Sequence, residues 1–174
     1  SNETTSNVNW KLNMEANLEG LHIKTTHPES FFPYGYDNLT ILESFGNNSR
    51  VTFPFRRIEK LRGTPVEARN VAGQLTYVYH LFPNVAIAVL SNHTSVTISE
   101  PLTTTSTRFI TYRMTNSGEE TSEANLTRAK RDAGFLADTG SQEDAAAVRA
   151  IQEGLTSGAN KHFTFGHYEK SIVH

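Results

Sequence analysis

A chain of 174 residues, 37% hydrophobic and 20% charged, has the composition of one folded domain rather than of a disordered segment. Its net charge of -2, with no basic run, offers no electrostatic footprint for nucleic acid. It has no cysteine, which excludes disulfides, thiolate-bound zinc and a cysteine-bound iron–sulfur cluster within the chain, and no apolar run approaches the roughly 20 residues of a membrane helix.

Ser1 to Val8 is polar and aperiodic and reads as a linker remnant, leaving residues 9–174 as one domain. Trp10, Met14, Leu18 and Leu21 recur at helical spacing opposite Lys11, Glu15 and Glu19, which predicts an amphipathic helix to about His22. The β-branched residues Ile23, Thr25 and Thr26 then disfavour its continuation. From Asn38 to about Thr115 the pattern becomes one of short strands: Leu39–Ser44, Arg50–Ile58, Leu75–Leu81, Val85–Leu90, Ser95–Ser99 and Ser106–Arg113. Gly46-Asn47-Asn48-Ser49, Gly63-Thr64-Pro65 and Asn84 punctuate them as turns. Strands that follow one another through short connections predict an antiparallel sheet.

After Ser117-Gly118 two helices are expected. The first runs from Thr121 to Ala137, with Ala124, Leu126, Ala129 and Phe135 available for packing. The second runs from Ser141 to Leu155, with Ser141 as N-cap and Val148, Ile151 and Leu155 as its buried stripe. The predicted class is α+β: a helix-grip fold of the START type, in which a curved antiparallel sheet with helices over one face encloses a cavity. The last residues, Ser171 to His174, carry no terminating signal, so both ends read as cuts in a longer polypeptide. Five Asn-x-Ser/Thr triplets, at Asn2, Asn38, Asn47, Asn92 and Asn125, would permit glycosylation of a secreted protein. No signal peptide opens the chain, and a cytoplasmic location is expected.

The chemistry-bearing residues concentrate in Glu19-Gly20-Leu21-His22-Ile23-Lys24-Thr25-Thr26-His27. Two histidines and one distant carboxylate form a face that leaves coordination positions open, as suits non-haem Fe(II). On an unbroken helix His22 and His27 would point about 140° apart, so they converge only if the helix ends or unwinds between them. Asp144 is the candidate carboxylate, and Glu143 competes with it. Ser141-Gln142-Glu143-Asp144 also reads as a capping box, which would make Asp144 a helix cap instead. Glu19, one helical turn before His22, is placed to hold an imidazole N–H. His80, His93, His162 and His167 read as structural or exposed. No phosphate loop, nucleophile elbow or His-Glu-x-x-His motif is present. Glu19-x-x-His22 is the only Glu-x-x-His, whereas a di-iron bundle needs two.

Asn9-Trp10-Lys11, Glu15, Leu18-Glu19-Gly20, His22 and His27 together resemble the start of the catalytic domain of the Rieske non-haem iron ring-hydroxylating oxygenases, large (alpha) subunit. Leu81-Phe82-Pro83-Asn84 resembles that family's strand entry. Glu143-Asp144, with Gln152-Glu153-Gly154-Leu155 and Ser157, resembles its Glu-Asp…Gln-x-Gly-Leu-x-Ser helix, and Tyr168-Glu169 and His174 resemble the start of its last helix. The resemblance implies that His22, His27 and Asp144 hold a mononuclear Fe(II). It also implies that Glu19 is the acidic residue bridging, across a subunit interface, to a ligand of the neighbouring subunit's Rieske cluster. Ala16, Asn17 and Leu21 depart from the family's usual Asn, aromatic and Tyr. Those departures bear on tuning of the iron and on the electron path more than on iron binding.

A Rieske cluster, [2Fe-2S], needs cysteines this chain lacks, so the Rieske domain is expected outside it. The implied partners are dioxygen, a small organic substrate, aromatic or otherwise, a Rieske domain and a reductase or ferredoxin. The implied assembly is a homotrimer or an alpha–beta hexamer, with no nucleic acid and no membrane. Pocket residues are expected from Tyr77–Val89, Thr105–Met114 and the late helices. Two readings compete with the oxygenase: a non-catalytic helix-grip module for a hydrophobic ligand, and a zinc hydrolase using the same ligands.

Overall fold

The sheet is assembled from hairpins whose turns are written in the sequence. In the computed structural model, which describes residues 1–116, 122–159 and 161–173 with the side chains at 139–141 outside that description, Gly46 takes a positive φ of 63° between β2 (Ile41–Phe45) and β3 (Asn48–Pro54). Glycine is the residue that adopts this conformation without a Cβ clash, and the two-residue loop it opens matches the twist of the strands. β4 (Leu75–Leu81), β5 (Val85–Val89), β6 (His93–Thr103) and β7 (Ser106–Thr115) follow as an antiparallel meander. With Asn2–Ser6 as β1, the order is β1-β7-β6-β5-β4-β3-β2, a curved antiparallel sheet with helices, as expected.

The chain's first residues correct the sequence reading. Asn2–Ser6 is not a shapeless linker remnant but strand β1, pairing with β7 from Asn2 opposite Thr111 to Ser6 opposite Thr107. An edge strand needs only backbone partners on one side and can keep polar side chains in water, so no hydrophobic alternation betrays it. Val8 that follows is buried, and its carbonyl accepts a 2.8 Å bond from the buried Thr107 hydroxyl. Strand β3 stops at Pro54 rather than Ile58. Proline offers no N–H to extend the ladder, and Arg56–Leu61 wind into a 3-10 turn.

Helix α1 (Trp10–Ala16) starts on Asn9, whose side chain accepts from the Lys11 N–H. It ends at Asn17, short of the expected His22. Asn17 turns its amide onto the Asn13 carbonyl at 2.7 Å, and Gly20 packs so tightly that an added Cβ would lie 3.2 Å from the Phe53 ring. The chain thereby leaves the helix to press against the sheet. Asn9 also donates its backbone N–H to the Gln152 side chain at 2.8 Å, so two separated pieces of the family-like pattern meet in space.

A short helix α2 (Ile23–Thr26) forms despite its β-branched residues. Helix α3 (Glu123–Phe135) is capped by Ser122, and α4 spans Ser141–Thr156. Thr121, His174 and the Ser141 side chain, all singled out in the sequence, lie outside the described residues. Residues 136–140 are π-wound and join α3 to α4 without a break. Residue 141 is therefore not a free helix start, and a capping box there loses its premise. The expected stripes are only partly buried: Ala129 and Val148 are, whereas Ala124, Leu126 and Ile151 are exposed. Helix α3 packs on β6 and β7, and α4 packs on α1 and α2. Among the described residues no helix is long and apolar enough to cross a membrane.

Met14 anchors α1 on β6, buried with its sulfur 3.7 Å from the Ser99 hydroxyl. Met14→Ala is expected to lower unfolding free energy by about 2–5 kcal/mol in urea titration, and the near-isosteric Met14→Leu by less than about 1.5 kcal/mol. Equal losses in the two variants would show that packing volume is not what Met14 supplies.

Candidate metal centre

The segment between α1 and the first hairpin delivers both histidines. Glu19 turns back on it: Oε2 accepts the His22 backbone N–H at 3.2 Å, and Oε1 contacts His22 Nδ1. Such a local carboxylate satisfies backbone N–H groups in the turn just ahead of α2. His22 is the residue before α2, and His27 follows it with φ -119° and ψ 45°, outside helical geometry. That departure brings together rings that an unbroken helix would splay. Their centroids lie 5.3 Å apart at 66°.

Helix α4 supplies the carboxylates. Asp144 Oδ1 lies 2.8 Å from His27 Nε2 and 3.5 Å from His22 Nε2. One ligand atom from each of His22, His27 and Asp144 falls within 4.8 Å of the others. Glu143 sits behind this group rather than in it: its Oε2 accepts from His27 Nδ1 at 2.6 Å and from the Ser30 hydroxyl at 2.7 Å. Asp144 and not Glu143 therefore completes the three-residue face.

The donor set fits a divalent cation. Each imidazole has its Nδ1 against a carboxylate, Glu19 for His22 and Glu143 for His27, which leaves both Nε2 atoms facing Asp144, where a cation would displace a proton. Three carboxylates surround two rings, and among the described residues none of the three pairs with a lysine or arginine. His27 is 2% exposed. Burial opposes a charge on it, but the hydrogen bonds and charges of Asp144 and Glu143 outweigh burial and hold its pKa above that of an ordinary imidazole. Glu143 is held below the usual carboxylate range, first by His27 and then by Ser30. In the metal-free protein a proton thus occupies ground that a cation would take over.

Sequence reasoning missed Ser30 and the supporting role of Glu143. It also missed Phe31, which meets the His27 ring edge-on at 4.9 Å and Phe135 at 5.4 Å. Across Phe31 lies a half-open cavity of about 670 Å³. One late helix, α3, lines it as expected, but the expected strands Tyr77–Val89 and Thr105–Met114 do not; the turns around Phe31, Phe55 and Leu90 take their place. Of the remaining histidines, His93 is buried with Nδ1 3.0 Å from Asp132, His80 Nε2 lies 3.1 Å from the Pro83 carbonyl, and His162 and His167 are exposed.

The chain matches the family model for the ring hydroxylating alpha subunit (catalytic domain) over residues 2–174. No curated protein matches its sequence. Among solved structures it is similar to a quaternary ammonium Rieske monooxygenase described in connection with carnitine oxidation by gut microbiota. That pair shares 16% identity with a TM-score of 0.70, covering 99% of this chain and 47% of the other. It is also similar to naphthalene 1,2-dioxygenase from Rhodococcus sp., with 12% identity, a TM-score of 0.65, and 88% and 43% coverage. A third is dicamba monooxygenase bound to dicamba, with 11% identity, a TM-score of 0.63, and 99% and 54% coverage. The chain thus spans about half of the length of these structures, and the likeness is one of fold.

The clamp on His27 sets a pH window for the metal-free protein. The raised His27 pKa contributes stability that is full below about pH 6.5 and is lost as pH rises through the folded value. The lowered Glu143 pKa contributes stability that is present above about pH 4.3 and is lost as pH falls through the folded value. The stability difference between wild type and Glu143→Gln should therefore peak between about pH 4.3 and 6.5 in urea titrations. Glu143→Gln should also weaken Co(II) binding by roughly 10- to 100-fold, as loss of a ligand-orienting carboxylate does. Unchanged affinity in that variant would remove Glu143 from the site.

Proposed function

This chain belongs to the family of ring hydroxylating alpha subunit catalytic domains, and on that premise we propose that it is the dioxygen-activating domain of a Rieske-type oxygenase. The observation that carries the reading is the convergence of His22, His27 and Asp144, with the outer nitrogen of each ring occupied by a carboxylate. Fe(II) bound by these three residues would supply redox chemistry and open positions at which dioxygen is activated beside an organic substrate.

The chain's own residues do the rest. Glu143 and Ser30 fix the plane of the buried His27 ring, and Glu19 fixes His22 while closing the backbone turn that carries it. Phe31 packs against His27 and keeps water from that side of the ring. Glu19 is the residue we assign to the electron path, facing a Rieske [2Fe-2S] cluster on a neighbouring subunit of a trimer or alpha–beta hexamer. A chain without cysteine must receive its electrons from such an outside cluster, fed by a reductase or ferredoxin. We assign the enzyme to the cytoplasm, where the reduced nicotinamide cofactors that such a reductase would use are found. An organic substrate, aromatic or aliphatic, would be oxidised by one or two oxygen atoms.

Protein purified anaerobically is expected to hold one Fe(II) per chain by metal analysis, with His22→Ala and Asp144→Ala each losing it. Full iron in either variant would overturn the ligand assignment, and stoichiometric zinc in place of iron would favour a hydrolase. A metal-free wild type that still binds hydrophobic ligands would favour a non-catalytic module. The chain alone, supplied with NADH and a reductase, is expected to show no turnover above the iron-free control. Sustained product formation would show that no outside cluster is required.

A further inference from the structure

Two buried histidines carry a carboxylate on Nδ1, and only one of them, His27, belongs to the metal face. The other, His93, opens strand β6 and is 2% exposed. Its backbone is braced on both sides. The Leu90 N–H donates to the His93 carbonyl at 2.9 Å, the Asn116 amide donates to the Leu90 carbonyl at 2.9 Å, and the Thr94 hydroxyl donates to Asn116 at 2.7 Å. From that fixed base Nδ1 reaches the Asp132 carboxylate on α3 at 3.0 Å. His93, with Asn92 adding to it, holds the Asp132 carboxyl below the usual carboxylate range although burial opposes this.

The opposite nitrogen, Nε2, is buried with no partner among the described residues. An imidazole satisfied on one side only is a poor choice for filling space, because an apolar side chain would leave no polar atom stranded. What the ring adds is direction, a single bond that fixes where α3 sits along β6.

From Asp132 two routes lead to His27. Phe135 lies one turn further along α3 and meets Phe31 edge-on at 5.4 Å, and Phe31 meets the His27 ring at 4.9 Å. Along the backbone, the π-wound residues 136–140 carry α3 into α4 without a break. Helix α4 then brings Asp144 to His27 Nε2 at 2.8 Å and Glu143 to His27 Nδ1 at 2.6 Å. We propose that His93 and Asp132 are positioning residues for the metal centre, fixing the α3–α4 unit on the sheet so that Asp144 and Glu143 meet His27. This role rests on the reading of His22, His27 and Asp144 as a metal site. Coupling between two sites is reciprocal, so a cation at Asp144 also strengthens the hold of α3 on β6.

The test is titration of the purified, folded chain with Co(II), read by competition with a chelator and by the ion's visible ligand-field bands. Asp132→Ala should weaken Co(II) binding roughly 3- to 30-fold and shift those bands. Asp132→Asn, whose amide bonds to Nδ1 in either tautomer, should stay within about twofold of wild type. Thr107→Val removes a buried hydroxyl at the opposite end of β7 from Thr115, the residue paired with His93. It should lower stability while leaving affinity and bands unchanged. In the wild-type chain, hydrogen exchange of the α3 amides should slow on Co(II) loading by a factor of the same order. Wild-type affinity in Asp132→Ala, equal losses in Thr107→Val, or α3 exchange indifferent to the ion would overturn the positioning role and leave the metal centre standing. Should Asp132→Ala fail to fold, the exchange result decides alone. A wild-type chain that binds no Co(II) would overturn the metal centre and the positioning role with it.

Discussion

Glu143 and Asp144 are neighbours on α4, yet they meet opposite edges of the same imidazole, Glu143 at Nδ1 and Asp144 at Nε2 of His27. Consecutive helical residues point about 100° apart, which is enough for two short acidic side chains to straddle one ring lying across the helix. The contact joins residues 116 positions apart in the chain. Closing so long a loop for a few polar bonds is unfavourable by itself. It becomes affordable because α1 and α3 pack on the seven-stranded sheet, and α4, continuing from α3, packs on α1 and α2. The centre is thus a consequence of the sheet, and whatever perturbs α4 relative to α2 acts first on His27.

How much of this could be read in advance follows from the range of each interaction. Strand β4 is legible to the residue, because Tyr77 and Tyr79 sit between a glycine turn and Pro83 and need no tertiary help. Strand β1 is not, since its only structural reason is the backbone edge of β7, over a hundred residues later. The end of α1 at Asn17 is set by contact of Gly20 with Phe53, which periodicity does not contain. Spacing alone would have splayed His22 and His27, and only the longer pattern of Asn9-Trp10-Lys11 through Ser157 suggested that they converge with Asp144. Glu143 reads as a rival ligand because Ser141 reads as a helix start that would make Asp144 a cap. The π-wound residues 136–140 carry the helix through that point, and such a local change of winding leaves no mark in hydrophobic periodicity.

The aromatic pair Phe31 and Phe135 gives the molecule its internal partition. Phe31 follows α2 in sequence and Phe135 ends α3, so each is fixed by the element that also supplies a functional group: His27 on one side, Arg128 and Arg131 on the other. Edge-to-face rings in contact resist sliding past one another more than aliphatic chains would, since their geometry is part of their attraction. The candidate metal centre and the cavity are therefore positioned by the same contact.

Charge follows that partition. Glu19, Glu143 and Asp144 gather on the histidine side of Phe31, and Arg56, Arg57, Arg128 and Arg131 gather on the other. Gathering like charges works against folding, because each group repels its neighbours and loses solvation as the fold closes around it. A chain of net charge -2 has opposite charges enough to intersperse and relieve both clusters. Kept apart from the arginines, the acidic cluster is left open to a cation, as the proposed metal site requires. An apolar wall between them stops the two from neutralising each other.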